Sequence, residues 1–224
     1  MTGMRGVFDI VGPVMIGPSS SHTAGAVRLG KMARTILGEE PVTAALELHG
    51  SFARTYKGHG TDIALVAGLL GFDTDDDRIR KALDIARERG LVFTFAPVDL
   101  GDVHPNTVAM LLTGASGRQL RVVGASIGGG NIMVTEIDGY QVKIFGNYYT
   151  MITIHQDKPG VIALVTHALS QEGVNIAFMR VSRQERGAQA LMIIESDQPV
   201  SEEAIRLVNN IGAVKLALLI PPIG

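Results

Sequence analysis

Residues 148–176, YYTMITIHQDKPGVIALVTHALSQEGVNI, decide the fold of the C-terminal part of the chain. Residues 148–154 are typical of a strand, and the Pro-Gly pair that follows marks a turn. Apolar residues then recur at helical spacing over residues 161–171, and Gly173 is typical of a helix end. The alternation over residues 174–182 predicts a second strand, so the stretch is a strand–helix–strand unit.

The chain continues with the same kinds of element in a different order. Residues 188–196 are typical of a strand that follows a charged turn. Ser201 precedes two acidic residues, which together indicate the start of a helix. Residues 211–220 predict a last strand. The resulting order β-α-β-β-α-β is that of a ferredoxin-like domain.

The first 146 residues are less regular and rich in glycine, which places a domain boundary near residues 146–147. We therefore expect one domain over residues 1–146 and a second over residues 147–224. The first is also predicted to mix helices and strands, so the fold class is α+β. Its predicted helices are 23–37, 61–70 and 79–88, and its predicted strands are 42–48, 91–98, 106–113, 120–126, 132–137 and 140–145.

The composition excludes several functions. The formal net charge is −2, from 20 basic and 22 acidic residues, which predicts no binding to nucleic acid or to an anionic membrane. The chain has no cysteine, so disulfides, thiolate nucleophiles and cysteine-ligated metals are excluded from it. No metal ligand is assigned. A cytoplasmic protein is expected, because the N-terminus is also a poor signal peptide.

The most unusual segment is GPSSSHTAG, residues 17–25, where hydroxyl residues and a histidine precede a predicted helix. Free N–H groups at a helix start favour an anionic ligand such as a carboxylate. The alternative is a helix cap, but five consecutive polar residues exceed what capping needs. The segment predicts a ligand site, whose candidate residues are Ser19, Ser20, Ser21, His22 and Thr23.

Three shorter motifs also combine glycine with polar residues. GHGTD, residues 58–62, places His59 between glycines before a helix, where an imidazole serves as an acid or a base or where the turn is merely flexible. GGGN, residues 128–131, lies between strands, and Asn131 either donates to a carboxylate or occupies a turn. HPNT, residues 104–107, is interpreted as a structural turn.

The C-terminal domain carries a second candidate site. His155 and Asp157 lie in the turn after its first strand, and Asn175 lies at the start of its second strand. We expect these two places to be adjacent, so that they bind the amino and carboxylate groups of a small amino acid. The alternative is ordinary turn chemistry. The apolar segment 174–181 is expected on an open sheet edge, which predicts a homodimer through this domain.

The four glycine and histidine motifs closely resemble those of the β-subunit of bacterial iron–sulfur-dependent L-serine dehydratase, and the resemblance covers essentially the whole chain. The segment from residue 147 onward resembles an ACT domain. The first domain resembles the allosteric substrate-binding domain of some D-3-phosphoglycerate dehydrogenases. The resemblance implies conversion of L-serine to pyruvate and ammonia. It also implies a [4Fe–4S] cluster held by the cysteines of a partner α-subunit, and therefore no activity for this chain alone.

The resemblance also implies roles for particular residues. His22 and His59 become candidate acid or base groups, and the hydroxyls of residues 19–21, Thr23 and Asn131 become substrate-binding groups. His155, Asp157 and Asn175 match positions that bind effector serine in D-3-phosphoglycerate dehydrogenase. Asp157 departs from that pattern, which has asparagine, and its carboxylate would attract an ammonium group or a monovalent cation.

Two other functions compete with this interpretation. A non-catalytic amino-acid sensor needs carboxylate and ammonium contacts but no acid–base pair, so the two histidines distinguish it. A regulatory fragment of a dehydrogenase is disfavoured, because no G-x-G-x-x-G motif follows a strand.

Overall fold

The computed structural model describes residues 19–223. Gly17 and Pro18, which begin the first motif, and the N-terminal segment before them lie outside the described residues. The chain divides into two compact units. One extends to Asp138 and includes Lys143–Phe145, and the other contains Gly139–Val142 and everything from Gly146 onward.

The first unit begins with a π-helical turn, Ser20–Ala24, that runs directly into a helix. A 3-10 turn over Asp77–Lys81 likewise leads into a later helix. Its helices are α1 (Gly25–Leu37), α2 (Gly50–His59), α3 (Thr61–Leu69) and α4 (Ala82–Glu88). Its strands are β1 (Pro41–Leu48), β2 (Val92–Pro97), β3 (Thr107–Gly114), β4 (Gln119–Gly128) and β5 (Asn131–Ile137). The next strand, β6 (Tyr140–Ile144), belongs to the same sheet, although its residues 140–142 are grouped with the second unit.

The strands form one sheet in the order β2-β1-β3-β4-β5-β6. β1 pairs with β2 in parallel and with β3 antiparallel, and β3, β4 and β5 continue antiparallel. Helix α1 packs against α3 and against β4. The core between helices and sheet is apolar and includes Leu29, Met32, Leu65, Met110 and Val122, all fully buried.

Two glycines set the distance between α1 and α3. A Cβ added to Gly68 would lie 2.0 Å from the Val27 carbonyl oxygen, and one added to Gly30 would lie 2.3 Å from that of Leu65. Real Cβ atoms do not approach backbone so closely, so the helices are in direct backbone contact. This contact positions the turn before α1 relative to the start of α3.

The second unit is a ferredoxin-like domain. Its elements are β7 (Tyr149–Gln156), α5 (Val161–Gln171), β8 (Ile176–Arg183), β9 (Gln189–Ser196), α6 (Glu202–Asn209) and β10 (Val214–Ile220). The sheet order is β10-β7-β9-β8 with every pair antiparallel. Met151, Met192 and Ile194 pack with Val165 and Leu169 of α5 in its core.

The predicted α+β class is confirmed. The predicted bounds of α5 match the structure, and the Ser201 hydroxyl caps α6 by accepting a hydrogen bond from the N–H of Ala204. Helix α2 was not predicted, because Phe52 is its one fully buried side chain and no apolar periodicity marks it. The helix predicted from residue 23 starts earlier, as the π-helical turn.

Candidate active site

The imidazole of His22 lies in the π-helical turn between two hydroxyls. The Ser19 hydroxyl accepts a hydrogen bond from the His22 backbone N–H at 3.3 Å and lies 3.3 Å from Nδ1 of the same histidine. Nε2 of His22 lies 3.3 Å from the hydroxyl of Ser51, the second residue of α2. Both ring nitrogens of His22 are therefore within hydrogen-bonding distance of a serine. Ser20 and Ser21 are partly buried in the same turn.

His59 lies directly beside this imidazole. The two ring centroids are 4.9 Å apart with planes inclined by 34°, and the centroids of the Phe52 and His22 rings are 5.4 Å apart in an edge-to-face arrangement. His59 is the last residue of α2, before Gly60 turns the chain with φ of 69° into α3. Its side chain is exposed, whereas His22 is partly buried. The structure thus brings together two histidines that the sequence singled out and that are 37 positions apart.

The environment favours a neutral His22. Burial lowers the pKa of the His22 imidazole, and the neighbouring charge of His59 lowers it further. An imidazole that is neutral near pH 7 can accept a proton without first losing one to solvent, and the imidazolium that results can then donate it.

The HPNT motif connects the site to the sheet. The Pro105 carbonyl accepts a hydrogen bond from the N–H of Ser51 at 2.7 Å, and the Asn106 carbonyl accepts one from the N–H of Ser126 at 3.0 Å. Gly50, with φ of 56°, passes so close to Pro105 that an added Cβ would lie 2.6 Å from its carbonyl oxygen. The motif therefore joins α2 to β4, which fits its interpretation as a structural turn.

The GGGN motif forms the hairpin between β4 and β5. Its three glycines have φ of 103°, 59° and 79°, a backbone region that favours glycine. The Gly130 carbonyl accepts a hydrogen bond at 2.9 Å from Arg28 of α1, which attaches the hairpin to the helix. Asn131 is exposed at the start of β5. Within the described residues, no hydrogen bond joins its side chain to either histidine.

Several buried polar atoms around the start of α1 have no hydrogen-bond partner among the described residues. They are the hydroxyls of Thr23, Thr61 and Ser126 and the Nε of Arg28. Ser126 faces Gly25, where an added Cβ would lie 2.1 Å from its hydroxyl oxygen. Buried polar groups without partners are uncommon and often mark a place where a ligand or water binds.

Sequence reasoning missed Ser51, Ser126 and Arg28 as neighbours of this site. Ser51 lies in the helix that was not predicted. Ser126 was placed in a strand, where alternation alone does not show which element a side chain meets. The one available signal was Gly25, since a glycine inside a helix start often marks a close approach.

The second candidate site starts from a buried histidine. His155 is 2% exposed on β7, and its Nδ1 lies 2.8 Å from the Gln156 carbonyl, to which it donates. Its Nε2 is buried and has no partner among the described residues. The Asp157 carboxylate accepts hydrogen bonds from the Gly187 N–H at 3.1 Å and from Arg183 at 2.9 Å. The Gly187 N–H and the Arg183 guanidinium lower the pKa of Asp157.

The expectation that Asn175 is adjacent to these residues is wrong within one chain. Ile176, which follows Asn175, pairs with Ser196, and Ser196 pairs with Tyr149 at the start of β7. His155 pairs with Ala190 at the other end of β9. The distance between the two ends is about 20 Å at the rise of a β-strand. The start of β8 lies far from the end of β7 because these two strands run in the same direction, with β9 between them.

Neither unit offers a metal centre or a membrane span within residues 19–223. No group of three or more histidine or acidic side chains there is placed to hold a metal ion. None of the helices described is both long and apolar enough to cross a bilayer.

Fold and site together define a two-unit chain in which a ferredoxin-like domain follows a domain with a histidine–hydroxyl cluster. The ACT family profile matches residues 149–213, and the profile of the serine dehydratase beta chain matches residues 6–89. This chain belongs to the family of L-serine dehydratase beta chains, because it is 46% identical to one of them over 95% of its length, and the resemblance seen in its motifs is thereby confirmed.

Similar proteins agree with this assignment. The chain is 46% identical to the probable L-serine dehydratase beta chain of Bacillus subtilis, over 95% of this chain and 98% of that protein. It is 39% identical to the L-serine dehydratase beta chain of Peptoniphilus asaccharolyticus, over 87% and 88%. A D-3-phosphoglycerate dehydrogenase of Synechocystis is 24% identical over 85% of this chain and 34% of its own length.

Proposed function

We propose that this chain is the β-subunit of an L-serine dehydratase and that it forms part of the active site for conversion of L-serine to pyruvate and ammonia. The observation that carries the proposal is the pair of imidazoles, His22 and His59, with ring centroids 4.9 Å apart in a cluster of serine hydroxyls. Ammonium and carboxylate contacts alone would not require two adjacent acid–base groups.

The chain's own residues can serve the elimination as follows. A neutral imidazole accepts the α-proton of serine, and the imidazolium that results gives a proton to the β-hydroxyl, which leaves as water. The aminoacrylate that results hydrolyses to pyruvate and ammonia. The hydroxyls of Ser20, Ser21 and Thr23, with Asn131, are proposed to bind the substrate carboxylate at the start of α1, whereas the Ser19 hydroxyl lies against Nδ1 of His22. The unpartnered hydroxyl of Thr23 supports this role.

The iron–sulfur cluster is assigned to a separate α-subunit. Clusters of this kind are held by cysteine thiolates, and this chain has none. The residues present therefore do not fit a cluster ligated by this chain. We propose that the partner supplies those cysteines, that the complex is cytoplasmic, and that this chain alone has no dehydratase activity.

The ACT domain is proposed to bind a small amino-acid effector across a homodimer. β8 is an edge strand, and Phe178 and Met179 on it are 57% and 45% exposed. Antiparallel pairing of two such edges would bring Asn175 of the partner subunit toward the end of the sheet that carries His155 and Asp157. In a dimer, Asn175 of the partner subunit would therefore approach His155 and Asp157, which Asn175 of the same chain does not. A monovalent cation at the Asp157 turn is the alternative occupant.

The test of the function is anaerobic reconstitution of this chain with a cysteine-bearing α-subunit, followed by measurement of pyruvate from L-serine. Pyruvate should form with both chains and with neither alone. His59→Ala should lower kcat on the order of 100-fold or more, the usual contribution of an acid–base group. His22→Ala should also lower kcat, while the cluster absorbance stays unchanged.

His167→Ala is the matched control, because this histidine is exposed on α5 of the other unit. It should leave kcat unchanged. Serine binding without pyruvate formation in the two-chain complex would instead indicate the amino-acid sensor. A rise in KM alone in both loop variants would mean that the histidines bind substrate without transferring protons.

A further inference from the structure

Ser51 is a polar residue of the candidate site, and neither the sequence motifs of the site nor the neighbours of Ser51 in the sequence identify it. It is the second residue of α2, and its N–H is held at 2.7 Å by the Pro105 carbonyl, so its backbone is fixed on the HPNT turn. Its hydroxyl lies 3.3 Å from Nε2 of His22, across 29 positions of sequence. Ser51 therefore links the HPNT turn, through its backbone N–H, to His22 of the first motif, through its hydroxyl.

The hydrogen bonds around His22 favour one tautomer. A neutral imidazole has one N–H donor and one acceptor nitrogen. The Ser19 oxygen already accepts from the His22 backbone N–H, and Nδ1 of the same histidine lies 3.3 Å from this oxygen as an acceptor for the Ser19 O–H. If Ser19 donates to Nδ1, the proton of the ring is on Nε2, which then donates to the Ser51 oxygen.

We infer that Ser51 is a positioning residue that holds His22 as its Nε2–H tautomer, with its ring beside His59. Both ring nitrogens of His22 are then occupied by serines. His59 has no ring hydrogen bond among the described residues and is exposed, so proton transfer to and from the substrate falls to His59. This division of roles rests on the proposed function, whereas the tautomer of His22 does not.

The first test is on the full chain without its partner. Long-range proton–nitrogen NMR spectra report the tautomer of each histidine. We expect His22 to be protonated at Nε2 in the wild-type chain and to become a mixture of tautomers in Ser51→Ala. Ser51→Thr, which keeps the hydroxyl, should restore the wild-type signal. Thr55→Val is the matched control, because its hydroxyl bonds to the Ser51 carbonyl and not to the imidazole.

The second test uses the reconstituted two-chain enzyme. Ser51→Ala should lower kcat on the order of 100-fold with KM nearly unchanged, because a shifted His22 ring no longer holds the His59 ring beside it in place, and misplacing a catalytic group by about 1 Å has effects of that size. Ser51→Thr should recover most of the loss. A folding defect would be revealed by far-ultraviolet circular dichroism and would affect both serine variants alike.

The outcomes separate the two proposals. An unchanged His22 tautomer in Ser51→Ala overturns the positioning role, whatever the enzyme assay shows. If the tautomer changes in Ser51→Ala and the wild-type two-chain complex has no dehydratase activity, the positioning role is supported and the proposed function is overturned. A changed tautomer with a normal kcat overturns the claim that His22 must be held for catalysis.

Discussion

Replacing Gly68 with alanine should separate α1 from α3 and disturb the site that these helices carry. The added Cβ would lie 2.0 Å from the Val27 carbonyl oxygen, 2.7 Å from the Lys31 nitrogen and 2.9 Å from the Gly30 Cα. All three are backbone atoms, so no side-chain rotation relieves the overlap. Ordinary contact begins near 3.4 Å, and the helices must therefore move apart by about 1.4 Å at this point.

The expected loss of stability follows from two opposing effects. Overpacking that forces backbone movement destabilises by about 1–3 kcal/mol, and a contact that only backbone movement can relieve belongs at the upper end. Alanine in place of glycine inside a helix stabilises by about 1 kcal/mol. The net expectation is a loss of about 2 kcal/mol, which lowers the melting temperature of this unit by roughly 6–12 °C.

The assay is urea and thermal unfolding of the full chain followed by far-ultraviolet circular dichroism. Gly58→Ala is the matched control, because Gly58 lies inside α2 and an added Cβ there meets nothing within 4 Å. That variant should be as stable as the wild type or more stable by about 1 kcal/mol. If Gly68→Ala unfolds at or above the wild-type temperature, the backbone contact of α1 with α3 is not as described.

Three further outcomes are expected. After anaerobic reconstitution of this chain alone, iron and sulfide analysis should find no stoichiometric cluster, because the chain has no cysteine; a full cluster would contradict the assignment to the partner. Burial raises the pKa of the Glu195 carboxyl, so folding loses stability as pH rises from about 4.5 through the folded-state pKa. The stability advantage of Glu195→Gln over wild type should therefore grow with pH in urea titrations, and a difference independent of pH would refute this. The wild-type chain should sediment as the proposed homodimer and Phe178→Glu as a monomer in sedimentation velocity, and an unchanged sedimentation coefficient would exclude the β8 edge as the interface.

Local patterns predicted the second unit well. Helical spacing of apolar residues identified α5 with the bounds that the structure shows, and Ser201 with its acidic neighbours identified the start of α6. These signals are carried by residues within a few positions of one another. Helix α2 has no such signal, because only Phe52 is fully buried and its other residues are partly or fully exposed.

The residue types of the candidate site were determined by the sequence alone, since two histidines and a run of hydroxyls before helix starts predict acid–base and carboxylate chemistry without any fold. Only the tertiary structure determined that these residues lie next to one another. The backbone contact of α1 with α3 at Gly30 and Gly68 places the His22 and His59 rings side by side, and the turn at Pro105 brings Ser51 to them. The wrong prediction for Asn175 has the same cause. In the structure β9 lies between β7 and β8. This order depends on strand pairing across the whole domain, and no local pattern in any one of the three strands predicts it.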